Sequence, residues 1–197
     1  SWTASDPVYE HLLEDFTRGA LASETFRAAF EAKARPFIAR GERKGLVQMA
    51  LKLTLPGIPD IYQGTEFADL SLVDPDNRRP VDFAALEAPR EGYEGEKRDL
   101  MRALLALRRE RPGLFADGET LAVEAAPGGR ALGFARVKGD EALLVLADLS
   151  AAGEGAAFDL PEGLRERSFR TLAGEAQGAQ VGAAEFGGRP LIVATTV

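Results

Sequence analysis

Residues 56–82 read PGIPDIYQGTEFADLSLVDPDNRRPVD, a short apolar run at Ile58, Ile61 and Tyr62 followed at once by carboxylates, an amide and two guanidinium groups. Pro56, Gly57 and Pro59 punctuate the run, which predicts a short buried strand bounded by turns. The polar loop after it is costly to order unless its groups find partners. A polar ligand held at the mouth of the strand would supply them. So would pairing within the loop, with Asp-Pro and Asn supplying turn chemistry and Asp74 and Arg78 forming an ion pair. On residue types alone the second arrangement suffices.

Upstream, Val8, Leu12, Leu13 and Phe16 recur at helical spacing from Asp6 to Ala22, with Asp6 placed as N-cap and Pro7 in the first turn. A second helix is expected from Ser23, kinked at Pro36 and ended by Gly41, and a third from Glu42 to Thr54. Downstream, Leu100, Leu104 and Leu107 mark an amphipathic helix over residues 93–111, with Arg108 and Arg109 on its solvated face and Pro112-Gly113 as terminator. Beyond it the runs LAVEAA, RALGFARV, EALLVLADLS and PLIVATTV alternate with Gly-rich turns, the texture of an all-β module. Its phenylalanines Phe134, Phe158, Phe169 and Phe186 sit among apolar neighbours as core residues do, and Phe115 is expected at the junction. The expected division is 1–117 and 118–197.

The chain carries 45% hydrophobic and 28% charged residues over 197 positions, an ordinary balance for a globular protein. No apolar run approaches the roughly 20 residues that span a bilayer, so no membrane partner is expected. A formal charge of −7 disfavours nucleic acid, whose binding draws on a basic surface. There is no cysteine and a single histidine, His11, so neither thiolate nor imidazole clusters are available for a metal, and no cofactor is implied. Residues 1–13, SWTASDPVYEHLL, lack the basic start and apolar middle of a secretory signal, and the expected location is cytoplasmic. Trp2 and His11 are assigned packing or helix-surface roles. One expected strand with no sheet to join leaves its backbone groups unsatisfied, which points either to hidden strands or to a sheet encoded elsewhere.

LPGIPDIYQGTE resembles the last-strand signature of the α-amylase superfamily, family 13 of the glycoside hydrolases, with Gly57, Pro59, Tyr62, Gly64 and Glu66 at the positions of its Gly-x-Pro-x-x-Tyr-x-Gly-x-Glu pattern. The continuation DLSLVDPDNRRPVDF is similar to the wording of the maltooligosyl trehalose synthase family, as are residues 1–22 and LLALRRERPGLFADGE. The resemblance implies an α+β chain: helices and the last strand of an incomplete (β/α)8 barrel, then an antiparallel β-sandwich module. It implies a C-terminal portion of a longer enzyme whose N-terminal part is missing here, with self-association of the piece through uncovered apolar surface. The implied reaction moves the reducing-end α-1,4 bond of a maltooligosaccharide to an α,α-1,1 bond. That chemistry needs a carboxylate nucleophile and a carboxylic acid roughly 5 Å apart. The family's acids find no match in this sequence, so no catalytic residue is assigned. The Asp-Pro-x-x-Arg element of the superfamily, matched by Asp74, Pro75 and Arg78, implies substrate binding at Asp74 and Arg78, with Asp76, Asn77 and Arg79 adjacent. Tyr62 and Glu66 are assigned to loop support.

Overall fold

Asp6 opens the first helix as its sequence position predicts: its carboxylate accepts from the amides of Val8 at 3.0 Å and Tyr9 at 3.3 Å, and Pro7 begins α1 (Pro7–Ala22). The computed structural model describes residues 4–71, 79–150, 153–178 and 180–197. The chain divides into two units, Ser1–Gly41 and Glu42–Val197. In the first, α1 buries no residue, and Phe16 is 74% exposed. His11 lies on the helix surface, its Nδ1 2.7 Å from the carbonyl of Pro7.

The expected second and third helices are one, α2 (Glu24–Thr54), which runs through Pro36 and Gly41 without a break. The long run of helix-favouring Ala, Arg, Glu and Lys on either side carries the helix across a proline, which costs about 3 kcal/mol relative to alanine, and a glycine, which costs about 1 kcal/mol. Its last turns lie in the second unit, where Leu46, Val47, Met49, Ala50 and Leu53 are buried. A Cβ at Gly45 would meet the Tyr93 hydroxyl, so any larger residue there needs that ring to shift.

The strand expected around Ile58 to Tyr62 does not form: residues 58–62 join no ladder among the described residues, and Ile58 is 98% exposed. An extended segment becomes a strand only when a neighbour takes its amides and carbonyls, and none of the described strands lies alongside it. Its entrance is instead fixed by a side chain. Arg108 donates to the carbonyls of Leu53 at 2.8 Å and Gly57 at 2.9 Å, and its guanidinium stacks 4.7 Å from the Phe115 ring centroid. The expectation of a solvated Arg108 is thereby corrected, and burial pulls its pKa down from the ordinary arginine range. The residue bridges two carbonyls and a ring, which the planar guanidinium suits.

A short α3 (Phe83–Glu87) follows the polar loop, capped by Asp82, which accepts from Ala85 N at 3.0 Å. Next come α4 (Gly92–Glu110) and α5 (Pro112–Ala116), separated at Arg111 where the sequence predicts a stop. Leu114 and Phe115 of α5 are buried.

The remaining chain is antiparallel sheet with two short helices. Strands β1 (Glu119–Ala122), β3 (Ala131–Lys138), β4 (Glu141–Asp148), β9 (Leu191–Thr196), β6 (Phe169–Thr171) and β7 (Ala176–Gln177) form one sheet in the order β1-β3-β4-β9-β6-β7. A smaller sheet holds β2 (Glu124–Ala125), β5 (Phe158–Asp159) and β8 (Gln180–Val181), with α6 (Glu162–Arg165) and α7 (Ala183–Phe186) between strands. β4 is paired on both sides, with Val145 opposite Phe134 of β3 and opposite Val193 of β9.

Side chains on a strand alternate between faces, and here both faces of β4 are dry. Leu144 and Leu146 pack with Phe158, Leu160, Val181 and Phe186 toward the smaller sheet. Leu143 and Val145 pack with Met49, Leu53, Leu104, Leu107 and Phe115 toward the helices. That burial on both sides explains why EALLVLAD reads as a continuous apolar run. Phe134 joins the helix-facing core, while Phe158, Phe169 and Phe186 join the other, as their apolar surroundings predict.

Two buried charges tie the layers. Arg136, 1% exposed, donates through Nη2 to the carbonyls of Leu114 at 3.3 Å and Phe115 at 2.9 Å, which α5 itself leaves open. Asp148, at the end of β4, accepts from Ser150 N at 2.8 Å and Gly155 N at 3.0 Å and lies 3.5 Å from Arg43 of α2, whose other nitrogen donates to the carbonyl of Gly188. Among the described residues no helix is long and apolar enough to cross a membrane.

Candidate functional site

The polar loop rises from a tight turn at Tyr62–Thr65, where the Tyr62 carbonyl accepts from Thr65 N at 3.2 Å and Thr65 Oγ1 at 2.7 Å. Gly64 takes φ +83° and a Cβ there would lie 3.3 Å from Val81, so the two ends of the loop meet closely at this glycine. Tyr62 is exposed, and Glu66 is half-buried with Oε2 lacking a hydrogen-bond partner among the described residues.

Phe67 is the loop's buried anchor, 6% exposed. Arg90 lies 4.8 Å and Arg98 5.8 Å from its ring centroid, and Lys97 Nζ donates to its carbonyl at 2.5 Å. Burial pulls the Lys97 amine down from the ordinary lysine range, with Lys52 adding to the effect and Asp69, Glu94 and Glu66 opposing it. Asp69 sits two residues on. It accepts from Ser71 N at 2.9 Å and Ser71 Oγ at 2.6 Å, and these bonds, followed by the charges of Arg79 and Lys97, hold its carboxyl below the usual aspartate range. Arg79 Nη2 lies 3.4 Å from Ser71 Oγ.

These groups border a cleft of about 510 Å³ lined by Gln63, Asp69, Ser71, Arg79, Arg90 and Glu94, among others. Its rim offers acceptors on the carboxylates, donors on the guanidinium groups and both on the amide and hydroxyl, the set that a polyhydroxylated ligand requires. A second hollow of about 410 Å³ lies between α4 and the start of β9, lined largely by apolar groups such as Leu46, Leu100, Leu172 and Pro190. It lacks the density of donors and acceptors that hydroxyl recognition demands. The polar cleft is therefore the candidate.

Of the residues singled out in the sequence, Arg79 lines this cleft, while Tyr62 and Glu66 flank its base in the chain. Asp74, Asp76, Asn77 and Arg78 lie outside the described residues, as does Trp2. Sequence reasoning missed Phe67 with its three cations. Lys97 and Arg98 occur in a stretch rich in Arg and Glu, and their partner lies about thirty positions earlier, so no local pattern connects them. Among the described residues no group of three or more His, Asp or Glu side chains gathers to hold a metal.

No family model matches the chain. Over 77 residues, 39% of this chain and 10% of the relative, it is 46% identical to proteins of two Mycobacterium tuberculosis strains described as maltooligosyl trehalose synthase. The solved maltooligosyltrehalose synthase of Arthrobacter ramosus superposes on all of this chain with a TM-score of 0.81 at 32% identity. The α-amylase of Geobacillus thermoleovorans superposes on 79% of it with a TM-score of 0.57 at 23% identity, which speaks to fold alone. The relatives that match along both sequence and structure are thus maltooligosyl trehalose synthases, and this chain is similar to one part of them. It spans 28% of the length of the Arthrobacter enzyme.

Proposed function

We propose that this chain is the C-terminal portion of a maltooligosyl trehalose synthase, a (1→4)-α-D-glucan 1-α-D-glucosylmutase that converts the reducing-end α-1,4 bond of a maltooligosaccharide to an α,α-1,1 bond. The observation that carries the reading is the superposition on the Arthrobacter synthase over the entire chain, helices and sheets alike, at an identity above that of the amylase. Within the stretch 56–82 that carries the sequence resemblance, Gln63, Gly64, residues 67–71 and residues 79–82 line the polar cleft.

In this reading residues 1–117 are the C-terminal part of a (β/α)8 barrel and residues 118–197 a β-sandwich module without chemistry of its own. The strand-end loop of such a barrel faces the active site. Arg79 at the cleft, with Asp74, Asp76, Asn77 and Arg78 beside it in sequence, binds sugar hydroxyls, the guanidinium groups as fixed donor forks and the carboxylates as acceptors. Tyr62 and Glu66 support the loop. The nucleophile and the acid that protonates the departing oxygen lie in the missing N-terminal part, so the chain alone is inactive. Holding the released glucose against the glycosyl intermediate while excluding water makes rejoining outcompete hydrolysis. The reading extends to a cytoplasmic location, in keeping with a chain free of cysteine.

The test is the product formed from maltopentaose by the longer polypeptide that contains this sequence. A non-reducing product of the same mass, ending in a trehalose unit, is expected. Glucose and shorter reducing dextrins alone would assign the chain to a hydrolase of the α-amylase superfamily. Calorimetric titration of the 197-residue chain with maltopentaose separates a third case, a self-sufficient glucan-binding module, which alone predicts firm binding.

A further inference from the structure

The loop that borders the cleft is held at its two ends by very different means. At the far end Asp82 caps α3, an exposed hydrogen bond. At the near end Arg90, just before α4, and Arg98 and Lys97 of α4 hold Phe67 by its ring and its carbonyl: Arg90 and Arg98 near the ring, Lys97 on the oxygen. Arg98 is itself fixed, its side chain 12% exposed and its Nη1 donating to the Ala88 carbonyl at 2.9 Å. An ammonium donating to a carbonyl is a charge-assisted bond, stronger than a neutral one, and this one is partly buried.

Two residues beyond Phe67 in the chain, a set of hydrogen bonds leads to the cleft. Asp69 takes both donors of Ser71, and Ser71 Oγ accepts from Arg79. Asp69 is exposed, so these contacts are individually weak and would not by themselves select one position for the loop.

We propose that Lys97 is a positioning residue for carbohydrate binding: by holding the Phe67 carbonyl it sets Asp69 and Ser71, and through them the guanidinium of Arg79 in the cleft. The inference rests on the reading of this loop as a sugar-binding wall. It assigns Lys97 no contact with the sugar and no proton transfer. Lys97→Met keeps the aliphatic stem and removes the donor, while Lys97→Arg restores a cation with donors.

Hydrogen exchange on this chain tests the positioning without any sugar. In Lys97→Met the amides of residues 67–71 should exchange about tenfold faster while those of β4 are unchanged, a local opening and not a global one; Lys97→Arg should restore most of the protection. In the longer polypeptide, Lys97→Met should raise KM for maltopentaose about tenfold with kcat within about twofold, and adding Arg79→Ala should add little, because both act on one interaction. Unchanged exchange at residues 67–71 overturns the proposal, as do fully additive effects of the two substitutions on KM. Faster exchange with KM unmoved by either substitution keeps the loop anchor and removes the sugar-binding reading on which its purpose rests.

Discussion

Phe16 of α1 and Leu146 of β4 both stand in strongly apolar stretches, one periodic and one continuous, yet one is 74% exposed and the other fully buried. The first unit shows the same lesson throughout: Val8, Leu12, Leu13, Phe16, Phe30 and Phe37 stand in water, while the strand β4 is covered on both faces. Periodicity tells which side of a helix seeks cover. It does not say whether the cover is encoded in the same stretch of chain. If this chain is one part of a barrel enzyme, the exposed positions are those that upstream strands and helices would shield.

The sharpest way to break the contrast is to shorten one side chain in each region. Leu146→Ala should cost about 2 to 5 kcal/mol, the usual range for a cavity in a core that cannot collapse, read as a lower urea midpoint. A loss much smaller than this would mean that the doubly covered strand is loosely packed. The next effect concerns the charge that ends β4. Burial alone would raise the Asp148 carboxyl, but its bonds from Ser150 and Gly155 and the nearby Arg43 outweigh it and hold its pKa below the ordinary value. The unfolded chain therefore takes up a proton first, so this stabilisation is complete above the unfolded pKa of about 3.9 and is lost as pH falls through the lower folded value. Asp148→Asn should cost about 1 to 3 kcal/mol at neutral pH, and the gap to the parent should narrow in melts below about pH 4. The smallest effect is expected in the first unit. Phe16→Ser should shift stability by no more than about 0.5 kcal/mol in this chain, while sedimentation should show less self-association as an apolar side chain leaves the surface. A loss comparable to that of Leu146→Ala would show that α1 is packed after all, and would dissolve the contrast.

The signals that were legible are the ones whose causes are local. Asp6-Pro7 starts a helix because the cap and the fixed φ act within one turn, and the α4 stop at Arg111 follows from the proline beside it. Gly-rich turns between β-branched and aliphatic runs gave the antiparallel region in the same way. What failed depended on a wider window or on distant partners. Pro36 and Gly41 look like breakers, but a favourable helix on either side carries α2 across them. Ile58 to Tyr62 looks like a strand, yet the neighbour that would make it one is not among the described strands. Arg108 looks solvated until Leu53, Gly57 and Phe115 are brought to it. The site follows the same division. The family wording drew attention to the polar loop and to Arg79, which lines the cleft, whereas the anchor at Phe67, formed with cations some thirty positions later, became visible only in three dimensions.

The placement of β4 and β9 between helices and a smaller sheet has a corollary. A β-domain that recombines freely among enzymes needs an outer surface that water can wet, but here Leu143, Val145 and Val193 face Leu104, Leu107 and Phe115. Cutting the chain at the start of β1 would strip that wall bare. Grafting these sheets onto another protein would therefore require α4 and α5, or an equivalent apolar cover, to travel with them.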